Sequence, residues 1–244
     1  MTELTSVDIA LNHILKHTQE IGDKTVVITQ CLGRVLAKDI FATEDLPPFA
    51  NSSMDGYAVR AEDIAQASPD TPVTLKVVMD IPAGHAPEQP LKHGEAARIM
   101  TGAPMPEGAD AVIPVEDTDS DWQKQTLTPL PEHVRIFRAI EAGAYVRQIG
   151  ENVKKGDFVL PKGRELKPQD IGMLAGLGIA NVTVKRKPKV AIISTGDELI
   201  GVDEPLSPGK IRNSNSYTLA GMVIEAGGEA VVLPKAADTL DAVR

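Results

Sequence analysis

Apolar side chains at helical spacing open the chain, and the pattern changes twice before the last residue. The first pattern predicts a helix that Thr5 or Ser6 caps. Its apolar face is formed by Val7, Ala10, Leu11, Ile14 and Leu15.

The middle of the chain, from Phe41 to about Gly156, consists of the short segments that are typical of strands. Clusters of proline and glycine separate these segments, as turns do in β-rich domains. The segments are VTLKVVMDI, EAARIMTG, DAVIPVED and HVRIF. We therefore expect a small β-rich domain here.

A second helix is predicted in KPQDIGMLAGLGI, which is followed by a strand in ANVTV. Pro168 suits the first helical turn, Asp170 suits the positive helix start, and Gly176 or Gly178 suits the exit. The GLG triplet is not a dinucleotide-binding fingerprint, because it lacks the third glycine and follows a helix.

From Lys187 onward the pattern predicts parallel α/β structure. KVAIISTGDELI begins with a nearly unbroken apolar run, which is typical of a strand buried on both faces of a parallel sheet. NSYTLAGMVIEAGG predicts a helix and EAVVLP a second strand, so together they predict one βαβ unit. ADTLDAVR predicts the start of another helix with Asp238 as its cap. Because these elements do not cover both faces of a sheet, we expect that the chain stops inside a domain or that another chain supplies the rest.

Composition narrows the class of protein further. The chain has 244 residues, 42% of them hydrophobic and 24% charged, as in ordinary folded proteins, and its net charge of -9 argues against nucleic acid as a partner. The single cysteine, Cys31, excludes an internal disulfide and a thiolate metal cluster, and we expect it to be a small buried residue. The N-terminal residues are not a signal peptide and no apolar run is long enough to span a membrane, so a cytoplasmic location is expected.

Three stretches contain residues that could bind a ligand, and the first is PPFANSSMDGYAVR. Its Asn, Ser, Asp and Gly residues favour a turn between strands. The alternative is a backbone shaped to hold a ligand against Asp55.

The second stretch, STGDEL, follows the first parallel strand, where open α/β sheets bind their ligands. The hydroxyls of Ser194 and Thr195 and the Gly196 amide could contact an oxyanion, and Asp197 and Glu198 are the hard oxygen ligands that Mg²⁺ accepts. A helix-capping loop with solvated acids explains the same residues equally well.

The third region contains RIMTGAPMPEGAD and VRQIGENVKKGDFV. Thr101, Gly102 and Ala103 could form a backbone nest for an anion, although an ordinary turn is the preferred interpretation. Arg147 could bind a phosphate, whereas the neighbouring charges at Lys154, Lys155 and Asp157 suit a solvated turn. The five histidines lack metal-ligand spacing, so no zinc site is expected, and neither a nucleophile elbow nor a P-loop is present.

These stretches occur together in one order. NSSMDGYAVR, RIMTGAPMPEGADAVIPVED, VRQIGENVKKGD, LAGLGIANVTV and STGDEL closely resemble the MoeA family of molybdopterin molybdenumtransferases, which is related to the gephyrin E domain. The resemblance implies Mg²⁺-dependent insertion of molybdate into adenylylated molybdopterin, with release of AMP as molybdenum cofactor forms. It further implies a homodimer, with the molybdopterin adenylyltransferase as another partner.

The resemblance also implies an α/β multidomain fold. Residues 1–40 and 157–186 would form an elongated α+β segment that mediates dimerisation, and residues 41–156 an inserted β-rich domain. Residues 187–244 would be the start of a doubly wound parallel α/β domain that binds molybdopterin, and the family's C-terminal β domain is absent from this sequence.

By motif match, the resemblance assigns roles to particular residues. It implies catalytic roles for Asp55, Thr101 and Glu198, with Asp55 and Glu198 as Mg²⁺ ligands and Thr101 in contact with an oxyanion or phosphate. The implied substrate-binding residues are Ser194, Thr195, Gly196, Asp197, Arg147 and Asp238.

Two positions depart from the family pattern, because Asn152 and Asn213 stand where acids are common. The family also continues with further loops and a final domain. We therefore expect this chain to be catalytically incomplete alone, and the alternative function is a non-catalytic binding and dimerisation module. A generic nucleotide-binding protein is a more distant possibility, which the lack of a P-loop or Rossmann fingerprint disfavours.

Overall fold

A computed structural model describes residues 5–120 and 129–236 of the chain. Within these ranges the helices are α1 (Val7–His17), α2 (Pro168–Gly176) and α3 (Asn215–Glu225). The strands are β1 (Asp23–Val27), β2 (Ile40–Phe41), β3 (Asn51–Ser52), β4 (Gly56–Val59), β5 (Val73–Ile81), β6 (Glu95–Ile99), β7 (Ala111–Pro114), β8 (His133–Ile136), β9 (Val146–Arg147), β10 (Phe158–Leu160), β11 (Asn181–Lys185), β12 (Lys189–Ile192), β13 (Leu199–Ile200), β14 (Ile211–Arg212) and β15 (Glu229–Val232).

The chain divides into two compact units. The first takes in the described residues of 1–40, 160–175 and 179–244, and the second those of 41–159 and 176–178. The three-domain division drawn from the sequence stays a prediction.

The second unit is built on a five-stranded sheet with the strand order β7-β4-β6-β5-β8. Strands β5 and β6 run parallel, and the other neighbours in this sheet are antiparallel. The four segments predicted to be strands are β5, β6, β7 and β8, so this prediction is confirmed. The sheet also contains β4, which the sequence had suggested only as part of a turn.

Both faces of this sheet are covered within the second unit. Tyr57 and Val59 on β4 belong to one buried apolar cluster, and Ala58 between them belongs to another. Every residue of β4 and β7 is buried. Alternate side chains of a strand point to opposite faces, so these clusters pack on the two sides of the sheet.

The first unit contains the predicted N-terminal helix, and the prediction of its start is confirmed. The backbone N–H of Ile9 donates to the Ser6 hydroxyl at 3.4 Å, which makes Ser6 the cap of α1. No residue of α1 is buried. Its apolar face is therefore exposed along the whole helix.

The second predicted helix, α2, begins at Pro168 as expected. Asp170 in its first turn is buried and accepts hydrogen bonds from the Arg164 guanidinium at 3.0 Å and the Lys167 amide at 2.9 Å. The guanidinium holds the pKa of Asp170 below its ordinary value, although burial opposes this effect. The helix is thus anchored by a buried charge at its N-terminus.

Cys31 is fully buried in the first unit, as predicted. Its thiol donates to the Ile28 carbonyl oxygen at 2.8 Å, and burial raises the thiol pKa. The residue therefore behaves as a small apolar side chain.

The predicted βαβ unit is formed by β12, α3 and β15, and the two strands are parallel. The expectation that these strands are buried on both faces is wrong for the described residues. Only Ile192 of β12 is buried, whereas Val190 and Val231 are exposed. The reason is that α3 is the only described helix of the βαβ segment, and one helix covers one face of a sheet.

None of the helices in residues 5–120 and 129–236 combines the length and apolar character that crossing a membrane requires.

Candidate functional site

The turn that carries Asp55 connects β3 to β4. The Ser52 hydroxyl donates to the Met54 carbonyl oxygen at 2.5 Å and accepts from the Met54 amide at 3.2 Å, which reverses the chain. The Ser53 amide donates to the Tyr145 carbonyl oxygen at 2.9 Å. The turn interpretation of this stretch is confirmed, and it leaves the Asp55 side chain exposed.

Gly56, directly after Asp55, is required by close backbone packing. A Cβ atom at this position would lie 2.0 Å from the carbonyl oxygen of Ile113 on the neighbouring strand β7. Any side chain here would push β4 away from β7. The glycine of the MDG motif therefore fixes where Asp55 leaves the sheet.

Asp55 contacts Thr101, although 46 positions separate them in the sequence. Asp55 Oδ1 accepts a hydrogen bond from the Thr101 amide at 2.7 Å and another from the Thr101 hydroxyl at 2.8 Å. Thr101 follows the end of β6, which pairs with β4. Two motifs that looked separate in the sequence thus form one site, and Asp55 Oδ2 makes no hydrogen bond to the described residues.

Backbone hydrogen bonds hold the two motifs in register. The Gly102 amide donates to the Ser52 carbonyl oxygen at 2.8 Å, and the Ser52 amide donates to the Ala103 carbonyl oxygen at 3.0 Å. The Ala103 amide donates to the Met100 carbonyl oxygen at 2.9 Å. Because the amides of Thr101, Gly102 and Ala103 all have protein acceptors, they form a turn and not an anion nest.

Arg147 lies beside the same turn. It is on β9, where it pairs with Asn51 of β3, and its side chain is exposed. Next to it, the Glu151 carboxylate accepts from the Gln148 amide at 2.8 Å and closes a turn. Arg147 is therefore a candidate anion-binding group on the strand that pairs with β3, since its guanidinium has no hydrogen bond to any described residue.

The Ser194–Leu199 loop belongs to the first unit and follows the end of β12, as predicted. Gly196 has a φ of 137°, which favours glycine, and the Glu198 carboxylate lies over it. A Cβ atom on Gly196 would come within 2.5 Å of Glu198 Oε2. The Glu198 carboxylate is exposed and makes no hydrogen bond in the described part of the chain.

Asn213 organises the hydroxyl of Ser194. The Asn213 amide nitrogen donates to Ser194 Oγ at 2.8 Å, and Asn213 Oδ1 accepts from the Ser216 amide at 3.2 Å. The second contact fixes the orientation of the amide group. Since Ser194 Oγ accepts here, its own proton can be donated to a ligand.

Two lysines that the sequence had not singled out brace this loop. Lys210 Nζ donates to the Asp197 carbonyl oxygen at 2.7 Å, and Lys235 Nζ donates to the Leu199 carbonyl oxygen at 2.9 Å. Both line a cleft of about 500 Å³ that also contains Asn213 and Tyr217. Lys235 follows the second parallel strand, so the rule that ligands bind beyond strand carboxyl ends could have identified it.

A second cleft of about 300 Å³ lies beside the loop and is lined by Ser194, Thr195 and Asn213. It extends to Ser214, which immediately precedes α3. Hydroxyl and amide groups near a helix N-terminus suit an oxyanion. Among the predicted site residues, Asp238 lies outside the described residues, Asp55, Thr101 and Arg147 belong to the second unit, and residues 194–198 to the first.

The chain is similar to known proteins over most of its length. A family described as "MoeA N-terminal region (domain I and II)" matches residues 5–178. The molybdopterin molybdenumtransferase 2 of Mycobacterium tuberculosis (strain ATCC 25618 / H37Rv) is 44% identical over 214 residues, which cover 88% of this chain and 51% of that protein. The molybdopterin molybdenumtransferase of Bacillus subtilis (strain 168) is 41% identical over 96% of this chain and 54% of its own length.

A solved structure agrees with these relatives. The molybdopterin biosynthesis MoeA protein from Pyrococcus horikoshii OT3 superposes with a TM-score of 0.86 and 38% identity, over 98% of this chain and 62% of that chain. An α/β multidomain fold is thereby supported. The chain spans about half the length of the curated relatives it matches.

Proposed function

The chain belongs to the MoeA family, and from this membership we propose that it acts in molybdenum cofactor biosynthesis, in the insertion of molybdate into adenylylated molybdopterin with release of AMP. The observation that supports this proposal best is the contact between Asp55 and Thr101. It joins the two family motifs through two hydrogen bonds to one carboxylate oxygen.

The acidic residues fit a Mg²⁺ ion by their chemistry. Asp55 Oδ2 and the Glu198 carboxylate are exposed, hard oxygen donors, and neither makes a hydrogen bond to a described residue. We propose Asp55 and Glu198 each as a Mg²⁺ ligand. A bound Mg²⁺ supplies positive charge to the phosphate oxygens of the adenylate and polarises the bond that breaks.

Thr101 positions Asp55 in this proposal. Its amide and hydroxyl restrain the carboxylate, so the second carboxylate oxygen keeps a defined direction. In a direct contact between Thr101 and a phosphate or oxyanion, the hydroxyl would donate its proton to the ligand oxygen in place of Asp55 Oδ1.

Donor groups suit the anionic substrates. We propose that Arg147 and the hydroxyls of Ser194 and Thr195, together with the Gly196 amide, contact molybdate or phosphate oxygens, and that Asp197 and Asp238 complete substrate binding. Asn213 supports this role, because its amide leaves the Ser194 proton available. An aspartate at position 213 would instead accept that proton, so asparagine suits an oxyanion-binding serine.

AMP release tests the proposed reaction. A full-length protein that contains this chain is incubated with adenylylated molybdopterin, molybdate and Mg²⁺, and AMP is quantified. Asp55→Asn is expected to reduce the rate by at least about 100-fold, and Thr101→Val by about 10-fold, because electrostatic and positioning groups have effects of this order. Asp70→Asn, an exposed acid elsewhere in the second unit, is the matched control and should leave the rate unchanged.

A second candidate function is a binding and dimerisation module without chemistry. It is favoured by the exposed apolar side chains of α1, including Val7 at 82% and Ile14 at 61% exposure. Binding of adenylylated molybdopterin by the 244-residue chain without AMP release would support this candidate. A rate that Asp55→Asn does not alter would contradict the assigned role of Asp55.

We propose that the chain forms a homodimer and that the apolar face of α1 contributes to it. Sedimentation velocity of the wild type should show a dimer. Leu11→Asp should shift the population towards monomer, whereas Lys16→Asp, on the same helix but outside the apolar face, should change it less. A further proposed partner is the molybdopterin adenylyltransferase, which co-sedimentation with the chain would test.

A further inference from the structure

Three potential metal ligands meet in the second unit, away from Asp55 and Thr101. Glu62, Asp63 and His93 each offer one ligand atom, and these atoms lie within 4.8 Å of one another. Glu62 and Asp63 belong to a short 3-10 helix (Ala61–Ile64) that follows β4. His93 lies in the turn before β6.

Both segments are fixed by hydrogen bonds. The Ala61 amide at the start of the short helix donates to the Asp110 carboxylate at 2.7 Å. In the turn, the Lys92 amide donates to the Glu95 carboxylate at 2.9 Å, and Gly94 has a φ of 76°, which favours glycine. The backbone thus holds His93 against the short helix.

Asp63 is the buried member of this cluster, and only one of its oxygens is satisfied. Its side chain is 2% exposed, and Oδ2 accepts from the Gly94 amide at 2.8 Å. Oδ1 is buried, makes no hydrogen bond to a described residue, and lies in ion-pair contact with Nδ1 of His93. A buried carboxylate oxygen that accepts no hydrogen bond can be stabilised further by a cation beside it.

The other two ligands leave an entry path. The side chains of His93 and Glu62 are 83% and 64% exposed, so water can reach and complete the coordination of an ion. Glu62 Oε1 pairs with Arg60, while Glu62 Oε2 makes no hydrogen bond to the described residues. Arg60 also balances part of the charge of the Glu62 carboxylate.

We propose that Glu62, Asp63 and His93 bind a divalent transition-metal ion, with Zn²⁺ as the ion of choice. One imidazole nitrogen with two carboxylate oxygens is a donor set that suits Zn²⁺ or Mn²⁺, whereas Mg²⁺ prefers oxygen ligands throughout. The site is separate from the proposed function and does not depend on it. This site was not predicted from the sequence, because the site contains a single histidine that lies about 30 positions from the two carboxylates.

Zn²⁺ titration of the metal-free chain tests the proposal. Isothermal titration calorimetry should show one saturable site in the wild type. His93→Ala should weaken Zn²⁺ binding at least about 10-fold, in the range seen when a metal ligand or its support is lost. This exposed side chain can be removed without disturbing the core, so the result does not depend on refolding.

Matched controls keep the assignment specific. His85→Ala removes another exposed histidine of the same unit, and Glu88→Gln another exposed acid, and neither should alter Zn²⁺ binding. Asp63→Asn should weaken binding as His93→Ala does, with circular dichroism confirming the fold. Co²⁺ in place of Zn²⁺ should give visible absorption that His93→Ala abolishes.

Two results would overturn the proposal. If the wild type showed no saturable Zn²⁺ binding, His93 would serve only as an ion-pair partner of Asp63. If binding were lost in Asp55→Asn but kept in His93→Ala, the ion would occupy the Asp55 site instead.

Discussion

The five-stranded sheet and the β12–α3–β15 segment are both built from apolar strands, yet their side chains meet different surroundings. Every residue of β4 and β7 is buried, whereas β12 has one buried residue and β15 has none. In α3, Leu219, Met222 and Ile224 are 49%, 59% and 64% exposed. The comparison therefore shows that an apolar segment can form a strand without its side chains becoming buried.

This difference teaches that an apolar run predicts the type of element better than it predicts burial. A strand becomes buried when other elements cover both of its faces, and that depends on residues distant in the sequence. In the second unit these elements are present among the described residues. For β12 and β15, the described residues provide α3 alone.

The largest effect on this comparison is expected from Gly56→Ala. The added Cβ would lie 2.0 Å from the Ile113 carbonyl oxygen, so β4 and β7 must separate. We expect a loss of about 3 kcal/mol in the stability of the sheet, as for severe overpacking. This loss of stability can be measured by hydrogen exchange of peptides from β4 and β7.

Gly172→Ala is the matched control for this substitution. Gly172 lies inside α2 with no atom within 4 Å of an added Cβ, so alanine should stabilise the helix by up to about 1 kcal/mol. Equal protection of β4 in wild type and Gly56→Ala would show that the strand contact is looser than described.

Two isoleucines compare the regions directly. Ile113 is fully buried, so Ile113→Ala should cost about 3 kcal/mol through lost burial and a cavity. Ile224 is 64% exposed, and Ile224→Ala should change stability by less than about 0.5 kcal/mol. Urea denaturation with hydrogen exchange assigned to each region measures both values.

The comparison would fail if Ile224→Ala were as destabilising as Ile113→Ala. Such a result would mean that α3 is covered in solution. A repeat at several protein concentrations would then identify a second copy as the cover, because its effect would grow with concentration.

A smaller effect on stability is expected from substitution of Asp170, whose charged side chain is buried. The pKa of Asp170 is lowered when folded, so its contribution to stability is present above the unfolded value of about 3.9 and is lost as pH falls through the folded value. Asp170→Asn should therefore be less stable than the wild type by about 1 kcal/mol at neutral pH. Denaturation curves should converge at acid pH, and a constant difference down to pH about 2 would contradict the role of the charge.

The elements of the fold were largely predictable, because local patterns determine them. Helices α1 and α2 begin where Ser6 and Pro168 indicate, and the βαβ unit is present. Strand β4 was not predicted from the sequence, because its four residues directly follow a stretch rich in Ser, Asp and Gly. Those residues are typical of turns, so the whole stretch was interpreted as a turn. Its burial follows from pairing with β6 and β7, which no local pattern reveals.

The candidate site was predictable in its residues more than in its contacts. Asp55 and Thr101 were identified through family motifs, but their hydrogen bonds depend on the order of strands in the sheet. The amide nest at Thr101–Ala103 was an alternative that the structure does not adopt, because each amide has a protein acceptor. The roles of Asp55 and Glu198 as Mg²⁺ ligands stay predictions.

The main-chain bonds between Ser52 and the Gly102–Ala103 turn have a consequence for protein engineering. Backbone groups set the register of the two loops, and Met54 takes part in the hydrogen bonds of this turn through its backbone amide and carbonyl. A library randomised at Met54, next to Asp55, would therefore vary the shape and polarity beside the carboxylate while its anchor stays in place. Such a library would change the surroundings of Asp55 without redesign of the scaffold.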